Sequence, residues 1–118
     1  MAKKLLAVDD DPGTLDFYQI VFEKAGFTVE VAADATSAIM LCVDFKPDIM
    51  LLDWEIPGGG GRMVFEKICG LLAKDIPVLF VTGCPEKVDA AIFTGTVAVL
   101  QKPVAIEKLV LQVNSLLK

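Results

Sequence analysis

The chain has 118 residues, of which 54% are hydrophobic and 23% charged, with a formal net charge of -5. This length accommodates one domain with a single core. The acidic balance and the lack of any basic run longer than Lys3-Lys4 argue against nucleic-acid binding by this domain alone and against binding to anionic membranes. No apolar run reaches the length of a membrane span, and the N-terminus lacks a signal-peptide pattern.

Cysteine and histidine content narrow the chemistry further. Cys42, Cys69 and Cys84 are odd in number and lack C-x-x-C spacing, which is typical of reduced thiols, so we expect a cytoplasmic protein. The chain contains no histidine. This absence excludes a Ser-His-Asp triad, a histidine-ligated zinc site and most general-base schemes.

Strand and helix patterns alternate about five times along the chain, which predicts parallel strands joined by helical crossovers. The predicted strands are 4–8, 28–31, 49–53, 78–82 and 97–101. Four of them are continuously apolar, as expected for strands covered on both faces, whereas 28–31 alternates and suits an edge strand.

The helices are predicted from their capping residues. Asp11 precedes Pro12 and is a plausible N-cap, and Gly26 ends this first helix. Asp34 caps a second helix, which Pro47 stops. The remaining predicted helices follow the glycine run at 58–61 or occupy 86–94 and 106–117.

Polar residues follow four of the apolar strands, and the shared edge of a parallel sheet brings such residues together. They are Asp9 and Asp10, Asp53, Thr82, and Lys102. Carboxylate oxygens are the ligands that Mg²⁺ prefers, and an aspartate can form a covalent phosphoryl adduct. A hydroxyl and a lysine could bind the remaining phosphoryl oxygens. The set therefore predicts a site for a divalent cation and a phosphoryl group.

Each residue alone also has a structural interpretation. Asp11 is best explained as a helix cap, Thr82 could be a satisfied loop hydroxyl, and Lys102 could be a surface lysine. The joint pattern favours a site, because the required residue types follow the first, third, fourth and fifth strands in order.

Over nearly its whole length the chain resembles the receiver domain of two-component response regulators. The stretches that carry the resemblance are LAVDDDP at 6–12, PDIMLLD at 47–53, Ile56-Pro57 with Gly61, VTG at 81–83 and Lys102-Pro103. The resemblance implies that residues 1–118 form one receiver domain with a flavodoxin-like α/β fold. That fold is a single (βα)5 unit with a doubly wound, five-stranded parallel sheet of order 2-1-3-4-5.

The resemblance also implies roles for the acidic residues. Asp53 is the expected phosphoacceptor and a Mg²⁺ ligand. Asp10 is expected to bind Mg²⁺ directly, Asp9 largely through water, and Glu55 through its backbone carbonyl.

Thr82 and Lys102 match the family's switch hydroxyl and phosphate-pairing lysine. The Lys102-Pro103 bond matches a cis peptide. A sensor histidine kinase or phosphotransfer protein would supply the phosphoryl group, and a downstream protein would receive the signal. The domain would catalyse only its own phosphorylation and dephosphorylation.

Some residues depart from the family pattern. Val99 replaces the usual aromatic three residues before the lysine, the run at 58–61 is entirely glycine, and the segment 82–95 is short. Two alternatives stay open. One is a pseudo-receiver that acts as an interaction module without phosphorylation. The other is a Mg²⁺-dependent phosphatase, because Glu55 occupies the offset of a second acid after an aspartate nucleophile.

Overall fold

A computed structural model describes residues 2–71, 76–88 and 97–118, and for 69–71 it describes the backbone alone. The elements in chain order are β1 (Lys4–Val8), α1 (Pro12–Lys24), β2 (Thr28–Ala32), α2 (Ala35–Asp44), β3 (Ile49–Leu52), α3 (Gly60–Leu71), β4 (Val78–Thr82), a 3-10 turn (Pro85–Lys87), β5 (Val97–Gln101) and α4 (Ile106–Leu116). Within these ranges no helix is long and apolar enough to cross a membrane.

The five strands form one parallel sheet in the order β2-β1-β3-β4-β5. This order confirms the predicted flavodoxin-like topology, with β2 and β5 at the edges. Asp53 lies one residue beyond β3, although its N–H still donates to Val8 O at 3.0 Å. The predicted third strand was therefore one residue too long, and the extra hydrogen bond fixes where Asp53 leaves the sheet.

The sheet separates two apolar layers. In β1, Leu6 and Val8 face the layer that contains residues of α2 and α3. Leu5 and Ala7 face the opposite layer, which contains residues of α1 and α4. Because all four side chains are buried, the strand is continuously apolar rather than alternating. Burial on both faces fixes the positions of the strand ends and of the site residues that follow them.

Two predicted helix caps are present. The Asp11 carboxylate accepts from Thr14 N at 3.1 Å, and the Asp34 carboxylate accepts from Ser37 N at 2.8 Å. These contacts satisfy backbone donors in the first turns of α1 and α2. The predicted helix at 86–94 is not seen in its described part, where only the 3-10 turn Pro85–Lys87 occurs. The rest of that segment falls outside the described residues.

The conformation of the β3–α3 loop requires the glycines at 58–61, so they are more than the residues of a solvent-exposed loop. Gly58, Gly59 and Gly60 have φ angles of +92°, +128° and +83°, which side-chain-bearing residues rarely adopt. At Gly61 the reason for glycine is a close contact and not a backbone angle. A Cβ there would lie 2.3 Å from Asp53 O, while its N–H donates to Trp54 O at 2.7 Å. The run thus folds the β3–α3 loop tightly beneath Asp53.

Candidate phosphoryl and metal site

Three carboxylates meet at the carboxyl edge of the sheet. Asp9, Asp10 and Asp53 each offer an oxygen within 4.8 Å of the others. Asp9 is 1% exposed and Asp53 8% exposed, whereas Asp10 is exposed to solvent. The sequence correctly predicted this convergence, because Asp9 and Asp53 directly follow the neighbouring strands β1 and β3.

Lys102 joins two of these carboxylates. Its Nζ donates to Asp9 Oδ2 at 2.6 Å and to Asp53 Oδ2 at 3.0 Å. Its backbone N–H donates to Thr82 O at 2.9 Å, which continues the pairing of β4 with β5. The Lys102-Pro103 peptide bond is cis, as the resemblance to receiver domains implied. Lys102 is therefore part of the site and not a free surface lysine.

Burial and ion pairing shift the pKa values of Asp9 and Lys102 in opposite directions. Burial raises the pKa of Asp9 above its ordinary value, although the hydrogen bond from Lys102 works against the rise. For Lys102, burial alone would lower the pKa, but its hydrogen bonds to Asp9 and Asp53 raise it above the ordinary lysine value. Lys102 is therefore a permanent cation at neutral pH and balances part of the acidic cluster.

Backbone donors hold the other oxygens of the two buried carboxylates. Asp11 N donates to Asp9 Oδ1 at 3.0 Å, and Glu55 N donates to Asp53 Oδ1 at 3.3 Å. The carboxylates are thus oriented by neighbouring turns as well as by Lys102. All three acids offer oxygen atoms only, which suits a hard cation such as Mg²⁺.

Thr82 is buried at the end of β4, with 1% of its surface exposed. Its Oγ1 accepts from Cys84 N at 3.2 Å, so the hydroxyl oxygen has a partner in the following loop, as the structural interpretation of this residue allowed. This contact uses the oxygen as an acceptor and leaves the O–H bond to donate elsewhere. The hydroxyl can therefore serve both the loop and a bound anion.

Glu55 belongs to the rim of the site and not to the carboxylate group. Its side chain is exposed, and Oε1 accepts from Lys87 Nζ at 3.2 Å. A hydrogen bond from the Cys84 thiol, followed by Lys87, lowers the pKa of Glu55. Sequence reasoning did not find Lys87, because one lysine in a short loop matches no motif.

Hydrophobic residues of the loop after β3 and of the neighbouring strands pack next to the site. The Trp54 ring is half-buried and contacts the Phe80 ring edge-on, with centroids 5.5 Å apart. Val99, the predicted substitute for an aromatic, is half-buried on β5 and packs against the layer containing Phe80. These contacts link the loop after β3 to the centre of the sheet.

A flavodoxin-like sheet with a lysine-bridged acidic cluster at its carboxyl edge defines a class of domain suited to divalent cations and phosphoryl groups. Residues 5–114 match the family model "Response regulator receiver domain". The chain belongs to this family, the receiver domains of two-component signalling. The predicted family is thereby confirmed.

Individual relatives agree with this assignment. The phosphate regulon transcriptional regulatory protein PhoB of Klebsiella pneumoniae is 31% identical over 100% of this chain and 53% of its own length. A CheY-like receiver domain protein of Methanospirillum hungatei superposes with a TM-score of 0.89 at 28% identity, covering 99% of this chain and 94% of that one. For the chemotaxis response regulator CheY4 of Vibrio cholerae the TM-score is 0.88 at 26% identity, with coverages of 98% and 99%. The chain spans about half the length of the curated relatives it matches.

Proposed function

We propose that Asp53 accepts a phosphoryl group in Mg²⁺-dependent transfer from the phosphohistidine of a sensor histidine kinase or phosphotransfer protein. The observation that carries this proposal is the bridge from Lys102 Nζ to Asp9 and Asp53. In this bridge a lysine cation lies beside the buried Asp53 carboxylate, at the edge of the sheet where a donor could approach, which supports Asp53 as the nucleophile.

The reaction is a displacement at phosphorus. An oxygen of Asp53 forms the new P–O bond as the P–N bond to the donor histidine breaks, and the electron pair leaves with the imidazole. Lys102 can transfer its pairing from the Asp53 carboxylate to a phosphoryl oxygen, and the Thr82 O–H can donate to another. Such transfers depend mainly on positioning and on neutralising charge.

The residues present fit a magnesium ion. Asp9, Asp10 and Asp53 would hold it together with the backbone carbonyl of Glu55, and the bound ion would neutralise negative charge on the transferring group. Lys102 occupies one oxygen each of Asp9 and Asp53. We expect it to give way partly when the cation and the phosphoryl group arrive.

Two alternatives are less well supported. A pseudo-receiver would not require the acids, Thr82 and Lys102 to remain assembled as they are. A phosphatase would need Glu55 as a second acid facing the substrate, but Lys87 pairs with its side chain at the rim. We therefore propose a signalling domain that catalyses only its own phosphorylation and dephosphorylation.

Partners and setting are also proposed. The relatives' names describe transcriptional regulation, which in them involves a longer chain than the part matched here. We propose that residues 1–118 form one cytoplasmic receiver domain that passes its signal to a downstream protein. We expect this domain alone to bind neither nucleic acid nor a membrane, since its net charge is -5.

The phosphoacceptor can be tested with acetyl phosphate and Mg²⁺. Intact-mass measurement should show one added phosphoryl group on the wild type and none on Asp53→Asn. The matched control is Asp16→Asn, which changes an exposed aspartate on α1 and should leave the modification unchanged. An unmodified wild type, or a modified Asp53→Asn protein, would contradict the proposal.

The metal can be followed with Trp54, the single tryptophan of the chain. Mg²⁺ should quench or shift its fluorescence, because Trp54 adjoins Asp53. Asp10→Ala should remove this response more completely than Asp9→Ala, since Asp10 is the exposed acid of the group whereas Asp9 is already paired with Lys102. Asp10→Ala should also raise the melting temperature without metal by relieving repulsion. An unchanged Mg²⁺ response in Asp10→Ala would refute this assignment.

A further inference from the structure

An ion pair connects two loops at the rim of the site. Glu55 lies in the β3–α3 loop, and Lys87 lies in the 3-10 turn after β4. Their side chains meet at 3.2 Å while each remains more than half exposed. The resemblance to receiver domains assigned no role to Lys87, so this contact needs its own explanation.

Glu55 stands where an uncompensated charge would oppose phosphorylation. It is two residues after Asp53, and its N–H donates to Asp53 Oδ1 at 3.3 Å. A bare carboxylate at this position would repel any anionic phosphodonor that approaches Asp53.

The structure shows how that charge is held. Lys87 Nζ donates to Glu55 Oε1 at 3.2 Å. Among the described residues, the group of mutually close carboxylates contains Asp9, Asp10 and Asp53 but not Glu55. The Glu55 carboxylate is thus neutralised outside the cluster instead of adding a fourth negative charge to it.

We propose that Lys87 is a positioning residue that holds and neutralises Glu55, and so keeps the approach to Asp53 open to anionic phosphodonors. The inference rests on the proposed function, because it concerns access to the same acceptor. It assigns donor selectivity to a residue that does not touch the phosphoryl group.

Two small donors of different charge provide the test. Acetyl phosphate is largely a dianion at neutral pH, whereas phosphoramidate carries less net negative charge. At low ionic strength, Lys87→Met should slow phosphorylation by acetyl phosphate about threefold and by phosphoramidate less, and added salt should shrink the difference. A purely structural defect would slow both donors equally and would not respond to salt.

Further variants separate the charge from the fold. Lys87→Arg should keep the wild-type rates, and Glu55→Gln combined with Lys87→Met should return the donor ratio to near wild type. Lys118→Met is the charge-matched control, because Lys118 follows α4 at the end of the chain. Equal rates for wild type and Lys87→Met, or the same loss in Lys118→Met, would overturn the inference. A wild type that accepts no phosphate would instead refute the proposed function itself.

Discussion

Two lysines contact carboxylates near Asp53, but they do so in very different surroundings. Lys102 pairs with Asp9, and their side chains are 30% and 2% exposed. Lys87 pairs with Glu55, where the side chains are 55% and 57% exposed. A pair in water contributes little to folding, whereas losing one partner of a buried pair leaves a charge that cannot be solvated. The buried pair therefore bears on stability, and the exposed pair bears on access to the site.

The largest expected effect is a loss of stability when the Lys102 pairing is removed. Lys102→Met should lower the free energy of unfolding without metal by about 3 kcal/mol, because Asp9 and Asp53 lose their common cation. Lys87→Met, with the same change in net charge, should leave this free energy unchanged within error. Urea unfolding of both variants measures this difference. Equal losses of unfolding free energy in the two variants would contradict the prediction.

The pH dependence sharpens the same comparison. Pairing with two carboxylates raises the pKa of Lys102, so the folded protein holds this proton more tightly than the unfolded chain does. The stabilisation is fully present below the ordinary lysine pKa of about 10.4. It declines as pH rises towards the folded-state value. The stability gap between wild type and Lys102→Met should thus be constant from pH 7 to 9 and narrow above pH 10, and a gap that widens there would contradict this assignment.

A smaller effect is expected from the loop beneath the buried pair. Gly61→Ala should destabilise the protein by about 2 kcal/mol, because the new methyl group would collide with Asp53 O. Gly13→Ala is the matched control, since its Cβ would meet nothing closer than 3.7 Å and alanine favours the helix. The melting temperature should fall for Gly61→Ala and rise for Gly13→Ala. A Gly61→Ala protein as stable as the wild type would show that the loop can move away from Asp53.

The smallest expected effect concerns how far the state of the site is transmitted to the surface. Val99 supplies no aromatic ring to repack, which removes one difference between the two states that could shift their populations. Beryllofluoride with Mg²⁺ should therefore leave the protein monomeric by light scattering, with changes confined to the loop after Thr82. Asp53→Asn under the same conditions is the control. Conversion to a dimer through the face formed by β5 and α4 would contradict the prediction.

Much of this protein followed from the sequence because its signals are local. Continuous apolar strands separated by capped helices predicted the parallel sheet, and Asp11 and Asp34 cap helices as expected. The convergence of Asp9 and Asp53 followed as well, since parallel strands place their ends along one edge. These features depend on residues close together in the chain and on the rules of sheet topology.

Other features depended on distances between segments that are far apart in sequence. Lys102 is 93 residues from Asp9; the sequence predicted that it joins the site, but only the folded structure shows that its Nζ bridges Asp9 and Asp53. The contact between Lys87 and Glu55, which are 32 residues apart, likewise appears only in the folded structure. Gly61 lies close to Asp53 in sequence, but its need for glycine comes from contact with the Asp53 carbonyl in the folded loop and not from its own backbone angles. Only tertiary packing decides which charges share a buried space and which remain in water, and this difference sets the strength of each contact.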